Sequence, residues 1–280
     1  MMSEGAIGEV VRVPARGLVF DVRVGGAADG PAVLLLHGFP QHSGMWAGVV
    51  PALHDAGLRT IAPDQRGYCA GARPSGVESY RIGECVADAL ALLDALGAGV
   101  AHVVGHDWGA LVGWHLAARH PQRVATLTAL SVPHPHAFAR ALADDPDQRE
   151  RSAYIGLFRQ AGKAEQVLLR DDAAALRGLF APVDGEPYVR RMLALGALTA
   201  ALNWYRAMSR DDAAGLGPVS VPTTYVWGDA DIAVGRVAAE ACAAHVAGEY
   251  EFVALPGVSH WAPDEVPGVV AEAVLRRIGR

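Results

Sequence analysis

Short apolar runs alternate along this chain with longer stretches whose apolar positions recur at helical spacing. Residues 32–36, 59–63, 100–105, 124–130, 223–227 and 250–255 read as strands, several of them almost wholly apolar, as strands covered on both faces are. Helical periodicity marks residues 45–55, 80–96, 108–120, 236–247 and 266–278; the third stretch closes with Arg119 and His120 before Pro121 stops it. Such alternation predicts βαβ units and a mainly parallel sheet. Two earlier strands, near residues 10–13 and 19–24, are expected to form an antiparallel edge, with GGAADGP turning into the core.

From about residue 137 to 215 the alternation stops and helical patterns take over. The acidic pairs Asp144–Asp145, Asp171–Asp172 and Asp211–Asp212 are candidate helix caps there. The predicted organisation is an α/β core (residues 1–136 and 216–280) carrying a helical cap, or lid (137–215), over the strand ends where open α/β sheets bind ligands. The longest uncharged apolar stretch, residues 192–202, is about half of what a bilayer span needs and reads as a buried helix.

Composition narrows the function classes. With 51% hydrophobic and 19% charged residues over 280 positions, a large core is expected. A net charge of −6 argues against a nucleic-acid surface. One lysine, Lys163, among many arginines and alanines fits a high-GC coding bias. Cys69, Cys85 and Cys242 are odd in number and lack a CxxC pair, which points to reduced thiols and a cytoplasmic setting. The opening MMSEGAIGEV lacks the basic-then-apolar pattern of a secretory leader.

The chemistry begins at VVGHDWGA, residues 103–110, where a predicted strand runs into a predicted helix through Gly-His-Asp-Trp-Gly. Small residues flanking the central position permit a sharp turn that lifts its side chain above the sheet. Here that side chain is Asp107, where an esterase would carry serine. A carboxylate is ionised at neutral pH, and the positive helix end is expected to help keep it so. It can attack an electrophilic carbon directly, leaving an ester that needs a general base and an oxyanion hole for its hydrolysis.

Partners follow in the order nucleophile, acid, histidine. His260 lies in LPGVSHWAP after the last predicted strand, suited to take a proton from water. Asp231, in WGDADIAV, is the expected orienting acid, with Asp229 as its rival; the Gly-x-x-Asp spacing favours Asp231. The backbone N–H groups of Phe39, in HGFPQ, and Trp108 are the expected oxyanion donors. His37, His115, Asp64 and Arg66 read as structural, and His134 with His136 does not read as a metal pair, since Pro135 intervenes and no third ligand is near.

HGFPQ, DQRGY, GHDWGA, SVPHP, NWYR and SHW together, spread over residues 32–262, resemble the epoxide hydrolases of the α/β-hydrolase superfamily. The resemblance implies cofactor-free, metal-free opening of a small-molecule epoxide by water to a vicinal diol. It also implies two cap tyrosines that donate to the epoxide oxygen, matched by Tyr205 in LNWYRAM and Tyr154 in SAYIGLFRQAG. Phe39, Pro40, Trp108 and Trp204 are the expected pocket lining. No membrane or nucleic-acid partner is implied, and a homodimer stays open. The rival readings are a haloalkane or haloacid dehalogenase with the same nucleophile, an ester hydrolase, and a non-catalytic ligand receptor on this fold. Fluoroacetate dehalogenases usually carry arginine where this chain has Trp108.

Overall fold

The computed structural model describes residues 7–279. Residues 1–6, the start of the segment read above as lacking a leader, lie outside the described residues. Eight strands form one sheet in the order β1-β2-β4-β3-β5-β6-β7-β8. They are β1 (Glu9–Ala15), β2 (Leu18–Gly26), β3 (Ala32–Leu36), β4 (Arg59–Pro63), β5 (Ala101–His106), β6 (Val124–Leu130), β7 (Thr223–Gly228) and β8 (Tyr250–Leu255). β2 pairs antiparallel with both β1 and β4, and the pairs from β4 through β8 are parallel. The apolar runs become central strands because both faces are covered: every residue of β3 and of β7 is buried.

The core helices are α1 (Val50–Asp55), α2 (Ile82–Ala95) and α3 (Trp108–Arg119). Between β6 and β7 the named elements are all helices: α4 (Pro135–Asp144), α5 (Pro146–Arg151), α6 (Tyr154–Phe158), α7 (Lys163–Gly178), α8 (Glu186–Met192) and α9 (Ala197–Ala207), then a short 3₁₀ turn. After β7 come α10 (Arg236–Glu240), α11 (Ala262–Glu265) and α12 (Pro267–Ile278). Where single helices are predicted at residues 45–55 and 236–247, a 3₁₀ turn and a short α-helix share each stretch.

Two local expectations fail. Residues 192–202 are not one buried helix: Met192 ends α8, Leu195 is 98% exposed, and Gly196 at φ +75 starts α9. Glycine at the break supplies the left-handed conformation that a continuous helix excludes. Of the acidic pairs, only Asp145 caps an α-helix, accepting from the Asp147 N–H at 3.1 Å. Asp171 and Asp172 instead sit at positive φ in a kink of α7, and Asp212 accepts from Ser209 N–H at 2.8 Å in the 3₁₀ turn.

Polar ties fasten the helical segment to the core. Trp204 Nε1 donates to Arg66 O at 2.8 Å, Trp261 Nε1 to Leu179 O at 3.0 Å, and Arg191 pairs with Asp64. Asp64 and Arg66 brace loops as expected, Arg66 holding Asp88 through two bonds of 2.6 Å. Asp264 accepts from Tyr188 of α8 at 2.5 Å and from Gln41 at 2.6 Å. Burial raises the Asp264 carboxyl from 3.8 to about 6.

Because the folded-state value lies above the unfolded one, the fold resists ionisation of Asp264. The cost is absent below about pH 4, grows as pH rises, and is complete above about pH 6, where it corresponds to about 2–3 kcal/mol before its partial exposure is discounted. An asparagine there keeps an acceptor for Tyr188 and, with the Gln41 amide turned end for end, donates to Gln41 Oε1 in place of the bond that Gln41 Nε2 now gives Asp264. Asp264→Asn is therefore expected to stabilise the protein by about 1–2 kcal/mol at pH 8 and by nothing near pH 4. Urea unfolding at both pH values checks this; an equal difference at the two would show that Asp264 does not titrate between them.

Candidate active site

Asp107 stands between β5 and α3 at φ 52, ψ −118, a strained conformation for a residue with a side chain. The turn is enforced by close approach: a Cβ added at Gly109 would lie 2.1 Å from Leu36 O. Gly38 is equally constrained, since its added Cβ would lie 2.3 Å from Asp107 Oδ1. That contact leaves room for Phe39 N–H to donate to Asp107 Oδ1 at 2.7 Å, and the Trp108 N–H also bonds the carboxylate.

His260 Nε2 lies 3.7 Å from Asp107 Oδ2. Its Nδ1 faces Asp231 Oδ1 at 3.0 Å and Oδ2 at 3.1 Å. Asp231, wholly buried, is fixed by the N–H groups of Ala233 at 2.7 Å and Val234 at 3.1 Å. Asp229 is exposed and accepts from Gly257 N–H, so the structure brings Asp231 and not Asp229 to the imidazole.

Charge follows from burial and neighbours. Burial pushes the Asp107 carboxyl above its ordinary value, outweighing His260 and the two N–H donors. Burial also pulls His260 down, but Asp231 and then Asp107 outweigh it, leaving the ring above its ordinary value. Asp231 is held below its usual range because His260 and its hydrogen bonds overcome desolvation.

Two chambers meet at Asp107. The larger, about 260 Å³, is lined by Trp108, Leu111, Phe138, Ile155 and Met208 among others. The smaller, about 70 Å³, is lined by Phe39, Pro40, Phe158, Ile232 and His260 among others. Asp107, Tyr154 and Tyr205 border both. The two tyrosine rings lie 6.1 Å apart, and the Tyr205 ring packs edge-on against Phe39 at 5.3 Å and Trp108 at 5.0 Å. Burial, with Asp107 close by, raises both phenols above their ordinary value, so each remains protonated and able to donate.

Trp204 departs from its expected place. It is 1% exposed, lines neither chamber, and packs behind Trp108 with its indole N–H on Arg66 O. Consecutive helical residues point about 100° apart, so Tyr205 faces the chambers while Trp204 faces the core.

Ser131, Arg151, Gln148 and His106 carry no sequence signal of their supporting roles. Ser131 Oγ lies 2.7 Å from Asp231 Oδ2, to which it donates, and 2.9 Å from His260 Nδ1. Arg151 of α5 donates to the Asp231 carbonyl, and Gln148 bonds Ala233 O at 2.8 Å and Gly235 N at 2.9 Å. His106 Nε2 meets His260 O at 2.8 Å. His37 is structural, accepting from Gln65 N–H at 2.9 Å. Among the described residues no cluster suited to a metal ion occurs, and no helix is long and apolar enough to cross a membrane.

The geometry is that of an α/β-hydrolase with an aspartate at its elbow, and the profile of the alpha/beta hydrolase fold family matches residues 31–267. Similar relatives include the AB hydrolase superfamily protein YfhM of Bacillus subtilis, 35% identical over 94% of this chain and 95% of its own. Epoxide hydrolase A of Mycobacterium tuberculosis is also 35% identical, with 94% and 95% covered. A Bacillus megaterium epoxide hydrolase crystallised with an inhibitor superposes with a TM-score of 0.87 at 26% identity, covering 96% of this chain and all (100%) of its own. This chain belongs to the epoxide hydrolase family of the α/β-hydrolase superfamily.

Proposed function

We propose that the protein opens an epoxide to a vicinal diol in two steps, with residues 137–215 acting as a cap over the site. The observation that carries this reading is the placement of two protonated phenols and one carboxylate around a single apolar junction. Tyr154 and Tyr205 donate to the epoxide oxygen while Asp107 Oδ2 attacks a ring carbon; the carbon–oxygen bond breaks and the alkoxide takes a proton from a phenol. Asp107 Oδ1 remains on the Phe39 N–H, with the Trp108 N–H also on the carboxylate, and becomes the ester carbonyl oxygen. His260, oriented by Asp231, then deprotonates water for attack on that carbonyl carbon, and the same N–H pair receives the oxyanion. Its collapse breaks the Cγ–Oδ2 bond, the departing diol oxygen takes the imidazolium proton, and the proton left on the Asp107 carboxyl returns to the tyrosinate. Neither step calls for a metal or cofactor. The buried free thiols of Cys69, Cys85 and Cys242 fit the reducing cytoplasm.

The tyrosines act in the first step only. Tyr154→Phe and Tyr205→Phe are each expected to slow ester formation about 10–100-fold, and the double variant more, with ester breakdown unchanged. Rapid-quench kinetics on a styrene-type epoxide separates the steps; slowed breakdown with normal formation would remove the phenols from this role. Halide release from haloalkanes, assayed alongside, is expected to be absent.

Ester breakdown has a further signature. It needs neutral His260, so it slows as pH falls through that ring's pKa. Ester formation removes the Asp107 charge, one of the influences raising His260. The breakdown midpoint is thus expected below the His260 midpoint of the free enzyme, compared by single-turnover kinetics and NMR titration. A midpoint at or above it would mean that Asp107 has not been neutralised.

A further inference from the structure

One face of α3 forms a wall of the larger chamber through Trp108, Leu111 and His115, spaced three and four residues apart as a single helical face requires. The first two are apolar surfaces. His115 is not: it is 1% exposed, and neither ring nitrogen has a hydrogen-bond partner. The other described buried histidines, His37, His106, His134 and His260, each use at least one ring nitrogen. A neutral imidazole carries one donor and one acceptor, and leaving such groups unpaired in a dry site costs about 1–3 kcal/mol. Nothing in the packing explains why a leucine or phenylalanine does not stand there.

On the reading that the site opens epoxides, we infer that His115 recognises a neutral oxygen function on the substrate's larger substituent, remote from the oxirane. Its position gives the spacing. His115 lies eight residues beyond Asp107, about 12 Å along the helix at 1.5 Å per residue. The larger chamber is therefore matched to a substrate with an apolar middle, an oxygen function at its far end, and a small group or hydrogen on the other ring carbon facing the 70 Å³ chamber.

The ligand's charge follows from the surroundings. Burial, reinforced by Arg119 and His136, lowers His115 to about 4, so it is uncharged at neutral pH, and the opposite charges of Arg159 and Asp212 on the same chamber leave no net counter-charge for a carboxylate. A hydroxyl, which both donates and accepts, suits it best; an ether or carbonyl oxygen uses its donor alone. Both ring nitrogens are buried against the protein. Rotation about histidine χ2, a soft torsion, turns one of them to the chamber.

The test compares the terminal epoxide of decene with the same epoxide bearing a hydroxyl on its last carbon. The readout is the hydroxylated-to-plain ratio of kcat/KM within each variant, which cancels general loss of activity. In His115→Phe this ratio is expected to fall about tenfold from its wild-type value, as one hydrogen bond of about 1.4 kcal/mol implies, while His115→Gln retains part of it. A His115→Phe ratio within twofold of wild type would overturn the assignment. Calorimetric titration of the two corresponding diols repeats the comparison without chemistry. If neither epoxide is turned over but the diol ratio still falls in His115→Phe, the recognition stands and the reaction reading fails. If both are turned over with an unchanged ratio, the reaction stands and His115 is merely packed.

Discussion

His260→Gln is expected to consume about one equivalent of epoxide per protein and then stall, with steady-state turnover lowered about 10³–10⁴-fold. The reasoning is spatial. His260 Nε2 is 3.7 Å from Asp107 Oδ2, beyond a direct hydrogen bond, so it is placed to activate water rather than to bind the carboxylate. Nothing in alkylation requires the ring, because a carboxylate needs no proton removed before it attacks. The stalled ester should appear by intact-protein mass spectrometry as an adduct of the substrate's mass, and peptide mapping should place it on Asp107. A variant that turns over at the parental rate without an adduct would show that another group activates water.

The second large effect concerns the nucleophile. Asp107→Ala is expected to lose diol formation by about 10⁴-fold or more, with no burst and no adduct. The two variants thus differ in kind, one failing after the first bond forms and the other before. Asp107 is strained, desolvated and raised in pKa, features that cost stability and are retained where chemistry uses them. Removing the side chain while retaining substantial turnover would mean that water is activated and attacks the epoxide directly.

Most of the scaffold was legible because the strands are near-continuous apolar runs closed by glycine, proline or charge, a pattern with few alternatives. The elbow was legible for a related reason: Gly105 and Gly109 mark a turn that few other residues permit, and the residue between them declares the chemistry. Asp231 could be preferred to Asp229 by spacing, but only the fold shows one carboxylate buried on the imidazole and the other in solvent.

The rest depends on contacts that no local pattern encodes. Ser131, placed at φ 65 just after β6, reaches a loop 100 residues away. Arg151 and Gln148 belong to the helical segment yet hold the loop that carries the acid. Trp204 and Tyr205 are adjacent in sequence and opposite in role, a distinction set by helix rotation and by which neighbour fills the core. The break at Leu193–Gly196 was hidden by an apolar composition that suits a buried helix and an exposed turn alike, with Gly196 as its one local mark. In the sequence His115 reads as a structural residue of a helix, and its unpaired nitrogens emerge only once its neighbours are placed.

The central claim is that a carboxylate oxygen of Asp107 becomes an oxygen of the product. A single turnover in water enriched in heavy oxygen, with enzyme in excess over epoxide, tests it most directly. The account predicts that the first diol leaves unlabelled and that the label is found in Asp107 by peptide mass spectrometry. Label in that first diol with none in Asp107 would contradict it.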